Sequence, residues 1–143
     1  MNKPASHPFH KRYPYGKEGE MLLKSTIEQH LGETLIPTAS EYDTVDFTSP
    51  SYLIELKRRS NKYSFYSNLI QQGGLILPAV KIDRAKSSDK TVFFYYYFDA
   101  DQKLFYWQFN WDEIKTVEPV TPSWHLDRQL SYFIPSTLWK VVD

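Results

Sequence analysis

Asp46, Glu55 and Lys57 are residues of this chain whose types and spacing suit them to act together chemically. They lie in Tyr42-Asp43-Thr44-Val45-Asp46-Phe47-Thr48-Ser49-Pro50-Ser51-Tyr52-Leu53-Ile54-Glu55-Leu56-Lys57-Arg58, where β-favouring residues alternate up to Thr-Ser-Pro-Ser and resume after it. The pattern predicts a β-hairpin, with Pro50 supplying the fixed φ of the first central turn position. With the loop symmetric about the Pro50–Ser51 bond, Phe47 faces Ile54, Val45 faces Leu56, Asp43 faces Arg58 and Asp46 stands opposite Glu55. Side chains alternate across a strand, so Val45, Phe47, Ile54 and Leu56 share a core face while Thr44, Asp46, Thr48, Glu55 and Lys57 share the other. Two carboxylates directly opposite on one face stand about 5 Å apart and repel each other unless a cation lies between them. A divalent metal of the magnesium type meets that need, because it takes carboxylate oxygens and keeps waters for a phosphate substrate. The plainer alternative is a set of charges on a wet sheet face, and Asp43 opposite Arg58 reads as such a cross-strand ion pair. A bulge in the hairpin would swap the faces and put Asp43 in the place of Asp46.

The elements that must position this hairpin follow from periodicity and punctuation. From Lys17 to about Leu31 the pattern is helical, with Leu23, Ile27 and Leu31 on one stripe and Gly32 as a stop. Glu20 falls on that stripe, aimed along the packing face, where an ionised carboxylate needs a partner or a metal; the alternative is a first-turn acid complementing the helix dipole. Thr34 to Thr38 reads as a short strand that Pro37 marks as an edge. After Lys57 comes the basic run Arg58-Arg59-Ser60-Asn61-Lys62, suited to a phosphodiester strand or simply a solvated loop. Residues 64–72 read as a helix or partial helix carrying Gln71 and Gln72 and broken at Gly73-Gly74. Pro78 then opens a short helix from Ala79 to about Lys86, on which Lys81 and Arg84 share a face as phosphate contacts or as a wet surface.

Thr91 to Phe98 carries rings on both faces, which predicts a central strand covered on both sides. A turn over Asp99–Gln102 returns the chain through Leu104–Phe109. The tail adds a helical turn at Trp111–Lys115, a strand near Leu130–Pro135 and a cap over Ser136–Trp139.

Composition sets the outer bounds. A length of 143 residues suits one domain, here 16–143, preceded by an irregular basic-aromatic arm over 1–15. Seventeen acidic and seventeen basic residues cancel, so no global field holds a polyanion and any such binding must come from local patches. The absence of cysteine removes disulfides, thiolate metal sites and cysteine nucleophiles. No run approaches a membrane span and the start lacks the apolar core of a signal peptide, so an intracellular setting is expected.

The order helix, strand, hairpin with Asp and then Glu-Leu-Lys, helical segment and long strand resembles the PD-(D/E)XK (restriction-endonuclease-like) nuclease superfamily. The residues that carry the resemblance are Asp46, the nine-residue step to Glu55, then Leu56 and Lys57, with Glu20 on the preceding helix. Val45 stands where the family's name has proline. The resemblance implies an α/β fold with an αβββαβ core, a mixed central sheet flanked by helices, in a small phage-like, viral or resolvase-like member. It further implies that Asp46, Glu55, the Leu56 carbonyl and Glu20 hold Mg2+, with Mn2+ able to substitute. Lys57 would orient the attacking water or stabilise charge on the phosphate, and Gln71 or Gln72 would match an occasional helical polar residue of the family.

The expected activity is metal-dependent hydrolysis of phosphodiester bonds in nucleic acid, DNA in preference to RNA, endonucleolytic or exonucleolytic, by a protein that such relatives suggest is a homodimer. Arg58, Arg59, Lys62, Lys81 and Arg84 would track the backbone. A catalytically silent nucleic-acid-binding or protein-interaction module on the same fold is the alternative from another class, and a hydrolase of small phosphorylated substrates is a third.

Overall fold

The computed structural model of the chain describes residues 23–37, 47–59, 74–121 and 129–142. Helix α1 occupies 23–31 of these, and Gly32, in the left-handed region at φ 75°, ends it. Strands β1 (Ile36–Pro37), β2 (Phe47–Thr48) and β3 (Tyr52–Arg59) follow, then β4 (Gly74–Pro78) and helix α2 (Ala79–Lys86). Strands β5 (Thr91–Phe98) and β6 (Lys103–Gln108), helix α3 (Trp111–Ile114), β7 (Ser131–Pro135), a 3-10 turn (Ser136–Leu138) and β8 (Lys140–Val141) complete the order.

Six strands form one mixed sheet in the order β1-β2-β3-β5-β6-β8, and β4 pairs with β7 in a separate two-stranded sheet. Among the described strands only β3 and β5 run parallel, over the eight pairs from Tyr52↔Thr91 to Arg59↔Phe98. A parallel pair needs a crossover, and α2 precedes β5 on that return. The expected α/β class with a central mixed sheet flanked by helices is observed: Leu23 and Ile27 of α1 are buried on one face, Ile82 and Ala85 of α2 on the other. The hairpin register is also as read, with Phe47↔Ile54 and Thr48↔Leu53.

Strand β4 is an addition to the expected order. Its apolar run, Leu75-Ile76-Leu77, is three residues long between Gly74 and Pro78, two residue types that signal breaks. Paired with β7, it contributes Leu75 and Leu77 to a core that also holds Val92, Phe94, Tyr96 and Phe98 of β5. Ile54 and Leu56 belong to the other core, with Phe93, Tyr95 and α1. Both faces of β3 are therefore covered, which overturns the alternative that Glu55 decorates a wet face: Glu55 is 3% exposed. The rings of β5 split between the two cores, as a central strand requires. Among the described residues no helix is long and apolar enough to cross a membrane.

Gly74 lies against β7, where a Cβ would overlap the backbone carbonyl of Ile134. Replacing Gly74 with alanine is expected to destabilise the protein by about 1–3 kcal/mol through forced displacement of β7. An unchanged urea midpoint for Gly74→Ala would show that the two strands are less tightly apposed.

Candidate active site

Glu55 sits in the middle of β3 with Phe94 of β5 as its register partner, and Lys57 and Arg59 follow at alternate positions on the same face. Helix α2 packs over that face through Ile82 and Ala85, which turns Lys81, four residues before Ala85, toward the sheet. Lys81 Nζ donates to Glu55 Oε2 at 2.6 Å, and Lys57 Nζ lies 3.8 Å from the same oxygen. The other oxygen, Oε1, is also shielded from solvent. The side chains of Glu55, Lys81 and Lys57 are 4%, 16% and 23% exposed, so the charges become wetter outward from the carboxylate.

A carboxylate this deep is costly to ionise alone, and a short charge-assisted hydrogen bond with a second cation nearby is what offsets the cost. The contact at 2.6 Å is a hydrogen bond, whereas at 3.8 Å Lys57 acts chiefly through its field. The group offers one carboxylate, already engaged by two ammonium groups, so a divalent cation at Glu55 would compete with Lys81 for the same oxygen. Among the described residues no three His, Cys, Asp or Glu side chains gather into a fuller metal site.

Several residues singled out from the sequence, Asp46, Glu20, Asp43, Lys62, Gln71 and Gln72, lie outside the described residues, as do the 1–15 arm and the 64–72 segment. Leu56 is buried with its side chain in the core opposite Glu55, so only its backbone carbonyl is available as a ligand. Arg58 donates through Nε to Asp99 Oδ1, an acid of the β5–β6 turn, at 3.0 Å; its expected partner Asp43 lies outside the described residues. Arg59 lies on the Glu55 face with its guanidinium 5.6 Å from the centre of the Tyr96 ring. Arg84 is exposed, as expected, but Lys81 is not on a wet helix surface: it belongs to the Glu55 group. The spacing of Lys81 to Ile82 and Ala85 was the available signal, since those two apolar residues fix which side of α2 faces the sheet.

Volume points elsewhere. A cavity of about 610 Å³ lies where β6 meets α3 and β8, with Trp107, Phe109, Trp111 and Lys140 in its wall, and it contains none of the Glu55 group. The buried ion pair is the better guide to chemistry, because it is costly to assemble and a surface notch is not.

No protein-family model and no curated protein matches the sequence. Among solved structures the chain is similar to a nuclease from a fusselovirus, at 19% identity and a TM-score of 0.56, over 94% of this chain and 88% of that one. The fold is shared with a viral nuclease. The likeness covers nearly the whole length of both chains.

The β2–β3 turn that precedes β3 is itself clamped. Glu33, just after α1, accepts from Ser49 Oγ and Ser51 Oγ at 2.6 Å each and from the Ser51 N–H at 3.0 Å. Lys90 Nζ donates to the Ser49 carbonyl at 2.7 Å from the opposite side. The Ser49 hydroxyl first, then that of Ser51, hold the Glu33 carboxyl below its ordinary range. A carboxylate with a depressed folded pKa stabilises the fold above its unfolded pKa, and that contribution is lost as pH falls through the folded value. Urea midpoints measured from neutral to acid pH are therefore expected to fall less steeply for Glu33→Gln than for the wild type, with faster amide exchange at Ser51. Parallel acid profiles for the two proteins would show that Glu33 does not hold the turn.

Proposed function

We propose that this chain is a metal-dependent nuclease that hydrolyses phosphodiester bonds in nucleic acid, DNA in preference to RNA. The observation that carries the reading is the buried Glu55 carboxylate gripped by Lys81 and flanked by Lys57 on the central strand of a fold shared with a viral nuclease. The hairpin register is consistent with it: were the pairing Phe47↔Ile54 continued by one residue, Asp46 would stand opposite Glu55. That pairing is the arrangement of the PD-(D/E)XK superfamily, to which we assign the chain, as a single domain over 16–143.

In this reading Asp46, Glu55 and the Leu56 carbonyl hold Mg2+, or Mn2+ in its place. A divalent ion held there would supply an activated water and polarisation of the phosphoryl oxygen. Lys57 stabilises the charge that develops on the phosphate and orients the attacking water, a role suited to an ammonium near the ligand carboxylate but more exposed than Lys81. Arg59, Arg84 and Lys62 track the backbone. Arg58 is the weaker candidate, because Asp99 already engages it.

Glu20 is the least supported ligand. Leu23 and Ile27, on the stripe the sequence assigns to it, pack with Ile54 and Leu56 on the face opposite Glu55, so the described residues do not favour it as a direct ligand. Gln71 and Gln72 remain auxiliary candidates, and the setting proposed is intracellular, with a homodimer as the working assembly.

One observation favours a second reading, a binding module without hydrolysis: Glu55 is already neutralised by Lys81. Cleavage of single-stranded, duplex and branched DNA and RNA, with magnesium, manganese or chelator, separates the two. Metal-dependent cutting is expected, reduced about 100- to 10,000-fold by Lys57→Ala and spared by Asp43→Ala. Clean protein that cuts nothing and binds no manganese would leave the binding module standing.

A further inference from the structure

We infer that Lys81 is a metal-released phosphate contact. It neutralises Glu55 while no divalent cation is bound and turns to a substrate phosphate when one is. This rests on the nuclease reading above and adds a regulation of the same site.

The geometry sets the competition. Lys81 Nζ is 2.6 Å from Glu55 Oε2. A magnesium ion sits about 2.1 Å from a carboxylate oxygen. An ion on Oε2 would therefore lie within roughly 5 Å of the ammonium, inside a group whose carboxylate is 4% exposed and where like charges are weakly screened. Glu55 cannot serve both cations at full strength. Lys57 is already more than a hydrogen bond away at 3.8 Å and stands on a rigid strand, so it is Lys81 that must yield.

The side chain of Lys81 can do so. It stands on the first turn of α2, partly exposed, on a flexible four-carbon stem. Arg84 lies three residues on, exposed, on the same side of the helix. An ammonium swung outward from Glu55 joins Arg84 to form a pair of cations beside the carboxylate site. This reconciles the phosphate role expected of Lys81 with the ion pair it makes: the two belong to different states of the site.

The test uses Lys81→Met, which keeps the length of the stem and removes the charge, in the full chain. Manganese titrated calorimetrically is expected to bind this variant roughly tenfold tighter than the wild type, because the competing cation is gone. Affinity for a short phosphorothioate-linked DNA, single-stranded and duplex, is then measured in chelator and in manganese over a range of salt. Lys81→Met should match the wild type in chelator, bind more weakly in manganese, and there show a salt slope lower by about one ion.

The inference is overturned if wild type and Lys81→Met bind manganese equally, or if Lys81→Met weakens DNA binding to the same extent in chelator and in manganese. Those results leave the nuclease reading intact wherever the wild type binds manganese and cuts. If neither protein binds manganese and the wild type cuts nothing, both fall together.

Discussion

The parallel ladder between β3 and β5 is the contact on which the rest of this structure depends. Eight consecutive pairs bring Glu55, Lys57 and Arg59 beside Phe94, Tyr96 and Phe98, and parallel pairing obliges the chain to cross over a face of the sheet before β5 begins. Helix α2 lies on that return, so the topology that pairs the strands also lays Lys81 over Glu55. A different crossing would leave a charged residue sealed in an aromatic core.

That sealing explains why the pair is tight. Phe94 stacks with Trp107 and Tyr96 with Phe98 on the same face, giving Glu55 apolar neighbours along the sheet. The Tyr96 hydroxyl donates to the Ile76 carbonyl and so joins the large sheet to the small one. In such surroundings, removing one partner of an ion pair typically costs about 3–5 kcal/mol, far more than the same change at a surface. A pair of this kind is weak evidence for stability, since apolar residues of similar volume would serve as well. Its stabilising value alone therefore does not account for a carboxylate at the centre of the sheet.

Local patterns made much of this legible. Alternation on either side of Pro50 gave the β2–β3 register, the aromatic run over Thr91–Phe98 gave the central strand, and Pro78 gave the start of α2. What local patterns cannot carry is the covering of the Glu55 face, because β4 and β7 are separated by more than 50 residues and each is a short apolar run. The ion pair of Lys81 is hidden for the same reason: i and i+3 spacing says that Lys81 and Arg84 are neighbours, not what lies beneath them. Asp99 likewise read as a turn residue alone, since its proximity to Arg58 depends on the parallel pairing. At the hairpin the expected pairing of Asp46 with Glu55 falls one residue beyond the described part of β2.

The two margins of the large sheet carry a consequence of their own. On one side lies β1, where Pro37 has no N–H to offer; on the other lies β8, a short strand beginning with Lys140. Both strands are exposed, and Ile36 and Val141 on them are among the large apolar residues open to solvent. Short, prolyl or charged margins resist the addition of a further strand from a second chain. Among the described residues neither margin is therefore a ready template for a strand from another chain, and the carboxylate at the centre of the sheet is framed by strands of its own chain.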